Sequence, residues 1–264
     1  MAARIASAAI AFPLVVLVVW AGSPWFTVMV AIAAAVGALE VSVMARRWGN
    51  RPAPLVAAAM AAALVVAAHV IADESSRDIW ALPVVGVGAV VALVWLLRRP
   101  SRGTLFSALV VTVAAAVYIG GLLFHAPLLR GLDQGREWVL LLLIVTVAND
   151  TSAFFVGKAL GHRPMAPSIS PAKTWEGSVG GFAGALGASV AAVTLLDLDS
   201  GVRETLVLGA IIGVVAQLGD LVESRLKRIS DVKDSGWLMP GHGGVLDRLD
   251  SIVFNLVVVY YFVS

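Results

Sequence analysis

Acidic side chains inside apolar segments are the first candidates for chemistry. Asp150 and Asp220 each interrupt a long apolar stretch. A carboxylate in the middle of a membrane-spanning helix costs about 2.5–3.5 kcal/mol on insertion scales. For these two aspartates we therefore expect a functional role rather than a structural hydrogen bond. Glu40 is less clear, because a position near the end of its segment would let its carboxylate reach Arg46 or Arg47.

Polar residues that follow Asp220 repeat with helical spacing. Glu223, Ser224 and Lys227 follow it at intervals of three, four and seven residues, so all four share one helix face. Arg228 joins that face one position later. An ordinary solvated helix has the same spacing, so this pattern alone is weak.

A glycine-rich loop comes next and runs from Lys233 to Gly244. Its glycines leave the backbone free to approach a ligand, and such loops commonly present N–H groups to phosphate oxygens. Lys233 and Arg248 flank it with positive charge. His242 either contacts a phosphate or braces the loop, and both readings stay open.

The donor types narrow the choice of ion and reaction. The chain has no Cys and four His, and no HExxH pair is present, so its carboxylates favour a hard ion such as Mg²⁺ over zinc. Carboxylates with Lys and Arg suit phosphoryl or nucleotidyl transfer. The GxxxxGK[ST] pattern of P-loop enzymes is absent. In a second polar segment, 158–176, three prolines exclude a plain helix. Lys173 of this segment either binds phosphate or only contributes to the orientation of the protein in the membrane.

The elements that must position these residues are membrane helices. Hydrophobic residues make up 59% of the 264-residue chain and charged residues 14%, which excludes a soluble globular protein and a disordered chain. The absence of Cys excludes a disulfide scaffold. A net charge of +2 makes nucleic-acid binding unlikely. We predict an all-α, polytopic membrane protein with about nine transmembrane helices. The nine apolar segments are 5–20, 25–43, 54–72, 79–97, 104–124, 138–157, 177–196, 205–222 and 249–264.

Charge in the connecting segments predicts the orientation. Fifteen of the nineteen Lys and Arg residues fall in alternate connectors, which the positive-inside rule places in the cytoplasm together with the N-terminus. We expect N-terminal transmembrane helices over 1–124 and a catalytic region over 125–264. The cytoplasmic loops of that region are 158–176 and 223–249.

The residues from Ser224 to Asp250 resemble the signature of the phosphatidate cytidylyltransferase, or CDP-diacylglycerol synthase, family. The pattern is S-x-hydrophobic-K-R, then K-D, then H-G-G-x-x-D-R-x-D, and each fixed position is met. Upstream, the segments 150–158 and 170–177 are also similar to that family, so the resemblance covers about 145–255.

The resemblance implies an integral inner-membrane enzyme of phospholipid biosynthesis. It would join CTP to phosphatidic acid within the bilayer, as a homodimer, with Mg²⁺ and a companion K⁺. Metal binding maps onto Asp220 and Asp247. Combining the resemblance with the charges above, we assign Asp220, Asp247, Lys233 and Asp234 to catalysis. Substrate binding is assigned to Lys173, Lys227, Arg228, His242, Arg248 and Asp150.

Two other functions are compatible with parts of the sequence. A CTP-dependent lipid kinase acting on a polyprenol-type alcohol would have a similar nucleotide-binding site. An ion-coupled transporter would use Asp150 and Asp220 as ion sites, although the long polar loop does not suit it.

Overall fold

The computed structural model describes residues 13–73, 81–97, 104–236 and 243–264, and almost all of its regular structure is helical. In chain order the helices are α1 (Trp25–Arg46), α2 (Pro54–Asp73), α3 (Ala81–Leu97), α4 (Leu105–Ala116), α5 (His125–Gly131), α6 (Gly135–Leu160), α7 (Trp175–Leu195), α8 (Val202–Ile229), α9 (Leu246–Leu249) and α10 (Ile252–Val263). A π-helical turn, Val117–Gly121, follows α4, and the strands β1 (Pro164–Ala166) and β2 (Ser170–Thr174) form one hairpin.

Among the described residues, six helices are long and apolar enough to cross a membrane, which confirms the predicted all-α membrane protein. They are Trp25–Arg46, Pro54–Ala72, Leu105–Gly131, Gly135–Leu160, Trp175–Leu195 and Val202–Ile229. The apolar helix Pro83–Leu97 is shorter, α10 has 12 residues, and half of the segment 5–20 lies outside the described residues. The count of nine spans therefore stays a prediction, as does the cytoplasmic side of the loops.

The chain forms two compact units. The first comprises Met1–Leu132 and Ile229–Arg248, and the second comprises Asp133–Arg228 and Leu249–Ser264. The polar segment 229–248 thus packs with the N-terminal helices, although it follows α8 in the chain. The boundary expected at residue 124 came from composition, whereas these units reflect packing.

Small side chains form much of the helix contacts in the first unit. Ala34 and Ala38 of α1 are fully buried, as are Ala57 and Ala61 of α2. Association of helices in lipid depends on such close packing rather than on the hydrophobic effect. Large apolar side chains lie outside instead; Phe106 of α4 is 76% exposed.

Hydrogen bonds at both ends fix the hairpin of the second unit. Pro164 pairs with Thr174 and Ala166 with Ser170, so the prediction that this segment is not a plain helix is confirmed. The Thr174 hydroxyl accepts a hydrogen bond from the Gly177 N–H at 3.1 Å and caps α7. The carboxylate of Glu176 accepts the N–H groups of His162 and Arg163 at 3.1 and 3.2 Å. These bonds hold β2, which carries Lys173.

Candidate functional site

Three carboxylates of the second unit form a compact group, here called the acidic cluster: Asp220, Glu223 and Asp250. One oxygen from each lies within 4.8 Å of the others. Asp220 and Glu223 are one turn apart on α8, and Asp250 follows α9. Gly219 permits this approach, because a Cβ there would lie 2.6 Å from the Asp250 carbonyl oxygen. The absence of a side chain beside Asp220 is therefore required by the fold.

Two lysines offset part of the negative charge of the acidic cluster. Lys173 Nζ lies 2.6 Å from Asp220 Oδ2, and Lys227 Nζ lies 3.1 Å from Glu223 Oε2. Glu223 is fully buried, and Ser224 donates to Asp220 Oδ1 at 3.1 Å. Burial, and then the negative charge of Asp220, raise the pKa of Asp250 to about 6. Three carboxylates and two ammonium groups leave a negative charge that a further cation could offset.

The acidic cluster fits a hard divalent cation. All of its donors are carboxylate oxygens, which Mg²⁺ prefers, and their mutual distances allow one ion to contact several of them. Sequence reasoning named Asp220 as a ligand but missed the other two members. Glu223 was visible as an i+3 neighbour on the same face, and Asp250 as the last residue of D-R-x-D.

Asp150 is outside the acidic cluster and takes part in a different polar network. It is exposed on α6, and its Oδ1 accepts a hydrogen bond from Asn149 Nδ2 at 3.0 Å. Gln217 of α8 donates from Nε2 to Asn149 Oδ1 at 3.4 Å and to the Ser178 carbonyl at 2.9 Å. The Ser178 hydroxyl donates to Gln217 Oε1. These bonds satisfy polar side chains of three apolar helices, and the substrate role of Asp150 stays a prediction.

The predicted cations fall into two groups. Lys227 is partly buried against Glu223, and Arg228 Nε donates to the Ile169 carbonyl at 3.1 Å, which ties the hairpin to α8. Lys233 and Arg248 are exposed. The contacts proposed between these two side chains and the substrate stay predictions. Asp234 is exposed as well, and His242 lies outside the described residues.

In the first unit, two amides of the glycine-rich loop and two amides directly after it donate to carboxylates. Asp247 Oδ2 accepts the N–H of Ser235 at 2.9 Å, the Ser235 hydroxyl at 2.9 Å and the N–H of Gly244 at 2.8 Å. The N–H groups of Val245 and Leu246 bind Glu40. Within the loop, the Ser235 and Gly244 amides therefore already donate to Asp247, and phosphate binding by the loop stays a prediction.

Glu40 does not extend towards Arg46 or Arg47, so that interpretation was wrong. It is 8% exposed, and its carboxylate accepts the Val245 N–H at 2.9 Å, the Leu246 N–H at 2.8 Å and the Ser235 hydroxyl at 3.0 Å. No local sequence pattern signals this, since Ser235 is 195 positions away.

The assignment of one metal to Asp220 and Asp247 stays a prediction. Asp220 belongs to the second unit and Asp247 to the first. Each carboxylate has its own set of donors, described above.

The fold and the acidic cluster define a class: a multi-helix membrane protein with three carboxylates clustered at one site. The chain belongs to the Cytidylyltransferase family, whose sequence profile matches residues 2–264. This confirms the family resemblance found in the sequence.

Three relatives, each named phosphatidate cytidylyltransferase, are similar to this chain. The Bacillus subtilis protein is 42% identical over 151 residues, which are 57% of this chain and 56% of the relative. The Brucella abortus protein is 40% identical over 150 residues, 56% of this chain and 55% of the relative. The Mycobacterium tuberculosis protein is 38% identical over 165 residues, 61% of this chain and 49% of the relative. The chain thus spans about half the length of the curated relatives that it matches.

Substituting Asp250→Asn should weaken divalent-ion binding about tenfold or more, because it removes one of three anionic donors. The measurement is free Mn²⁺ by electron paramagnetic resonance during titration of the purified protein in detergent. Asp199→Asn, the same chemical change at an exposed loop position, is the control. Wild-type affinity in the Asp250 variant would exclude Asp250 as a ligand.

Proposed function

We propose that this chain is a phosphatidate cytidylyltransferase, which converts CTP and phosphatidic acid into CDP-diacylglycerol and pyrophosphate in phospholipid biosynthesis. Family membership and the names of its relatives support the reaction. The acidic cluster with Lys173 beside Asp220 is the observation that carries the proposal. Carboxylates and an ammonium group at one site are the side chains that a triphosphate and its metal require.

In the proposed reaction, an oxygen of the lipid phosphate attacks the α-phosphorus of CTP. A new P–O bond forms, the bond from the α-phosphorus to the bridging oxygen breaks, and pyrophosphate leaves with that electron pair. The lipid phosphate is already anionic at neutral pH, so no side chain needs to remove a proton. This agrees with a site built from carboxylates and cations without a Ser-His-Asp set.

We infer that Asp220, Glu223 and Asp250 would hold Mg²⁺, with Asp247 as the ligand expected from the resemblance and K⁺ as the companion ion. A bound Mg²⁺ would orient the triphosphate and neutralise its charge. Lys173, with 23% of its side chain exposed, could donate to a phosphate oxygen while keeping Asp220 in place. Lys227 would act on substrate only indirectly, since it pairs with Glu223.

The remaining substrate contacts are assigned to exposed side chains. Lys233, Arg248 and Arg228 would attract phosphate groups, with Asp234 beside them in the chain. His242 and Asp150 keep their predicted substrate roles. The proposal also places the active site and N-terminus on the cytoplasmic side of the inner membrane, where CTP is available, and includes a homodimer.

Labelled CTP separates this function from its competitors. With phosphatidic acid and Mg²⁺, α-³²P-CTP should label the lipid product while γ-³²P-CTP labels only pyrophosphate. The measurement is thin-layer chromatography of lipid and aqueous products from purified protein. Label from the γ position in lipid would instead identify a CTP-dependent lipid kinase. Ion flux in proteoliposomes without lipid labelling would identify a transporter.

Lys173→Ala should lower kcat/KM for CTP about tenfold or more, because it removes an ammonium group that faces Asp220 and the proposed triphosphate. Lys158→Ala is the matched control, since Lys158 is an exposed lysine whose ammonium lies over the Phe154 ring. Initial rates and thermal melting are measured for both variants. An unchanged rate for Lys173→Ala would show that Lys173 contributes only to the orientation of the protein in the membrane.

A further inference from the structure

Glu40 is a buried carboxylate that the proposed reaction does not use. It lies on α1 with 8% of its surface exposed. Removing a charged group from water is unfavourable unless hydrogen bonds replace its hydration. Here three donors do so, and all three belong to the polar segment 229–248. Its partners are 195 to 206 positions away, so the bonds connect distant parts of the chain within the first unit.

The donors come from both ends of the glycine-rich loop. Ser235, near the start of the loop, donates its hydroxyl to Oε2, while Val245 and Leu246, directly after the loop, donate to Oε1 and Oε2. Glu40 therefore holds the two ends of the loop together. Trp48, just after α1, adds a bond from Nε1 to the Ser230 hydroxyl at 3.0 Å and anchors the start of the same segment.

One side chain joins Glu40 to Asp247. The Ser235 hydroxyl lies 3.0 Å from Glu40 Oε2 and 2.9 Å from Asp247 Oδ2. A serine hydroxyl has a single proton, so it bridges two carboxylates rather than satisfying each independently. The position of the Asp247 carboxylate thus depends on a residue that is itself fixed by Glu40.

We propose that Glu40 is a positioning residue for the nucleotidyl transfer: it clamps the glycine-rich loop and thereby orients the Asp247 carboxylate. The inference depends on the proposed function in one respect, the assignment of Asp247 to catalysis. The clamp itself stands on the hydrogen bonds above. Its test consequently has one arm that measures the loop and one that measures the reaction.

The packing around Gly244 leaves little room for a side chain. A Cβ on Gly244 would overlap the Ser235 hydroxyl and both carboxylate oxygens of Glu40. Both Glu40 oxygens accept hydrogen bonds, so a glutamine must turn its NH₂ group towards an N–H or O–H donor whichever way it is placed. Glu40→Gln therefore keeps the shape of the side chain and breaks the clamp.

The first arm measures amide hydrogen exchange of peptide 243–251 in the full-length protein in detergent. Glu40→Gln should speed exchange of the Val245 and Leu246 amides about tenfold or more. Ser42→Ala is the matched control, because Ser42 is buried on the same helix and its hydroxyl makes no hydrogen bond among the described residues. Unchanged exchange in Glu40→Gln would overturn the clamp.

The second arm measures CDP-diacylglycerol formation as a function of Mg²⁺ concentration. Glu40→Gln should raise the half-saturating Mg²⁺ concentration about 10- to 100-fold, as expected for loss of a residue that orients a ligand, and excess Mg²⁺ should restore much of the rate. General destabilisation would lower the rate at every Mg²⁺ concentration. Faster exchange with an unchanged Mg²⁺ dependence would overturn the positioning role.

Ser235→Ala keeps the proposal testable if Glu40→Gln does not fold. It removes the bridging hydroxyl but leaves the Ser235 amide bonded to Asp247. The half-saturating Mg²⁺ concentration should rise at least threefold, and no change would exclude the link through Ser235. A wild-type protein that forms no CDP-diacylglycerol would refute the proposed function, and the exchange arm would still decide whether Glu40 clamps the loop.

Discussion

Electrostatic repulsion among Asp220, Glu223 and Asp250 is the constraint on which the site depends. Two unit charges about 4 Å apart repel by about 4 kcal/mol at an effective dielectric constant of 20. Three carboxylates with oxygens within 4.8 Å of one another are stabilised when positive charge offsets them. Lys227 from the same helix and Lys173 from the hairpin supply two charges. A bound divalent ion would complete the compensation.

The surrounding residues position the three carboxylates and one of the lysines. Gly219 lets the Asp250 backbone approach α8, and the capped start of α7 fixes the strand that carries Lys173. Elsewhere in the same unit, neutral polar side chains connect apolar helices. Asn255 of α10 donates to Thr146 of α6 at 3.0 Å, which links these two helices without a charge.

Local patterns in the sequence were enough to predict much of the fold. Long apolar runs indicated membrane helices, because the length of such a run is itself the structural requirement. The prolines of the segment 158–176 indicated a break in helix, and the i+3 spacing of Asp220 and Glu223 placed two carboxylates on one face. Lys173 was likewise identified as a candidate, and it lies beside Asp220.

Contacts between distant residues could not be predicted in this way. Glu40 binds partners 195 or more positions away, and nothing near it distinguishes it from a carboxylate that reaches the membrane surface. The glycine-rich loop suggested a phosphate site, but only the folded chain shows that Asp247 accepts two of its amides and that Glu40 accepts the two amides after it. Helical periodicity describes one element, whereas these bonds depend on how separate elements pack.

The most direct measurement of the central claim is a crystal structure of the protein with Mn²⁺ and a non-hydrolysable CTP analogue. Anomalous scattering would locate the ion. The account predicts one Mn²⁺ bound by oxygens of at least two of Asp220, Glu223 and Asp250, with the triphosphate beside it. An ion bound elsewhere, with the Lys173 and Lys227 ammonium groups alone facing the three carboxylates, would contradict it.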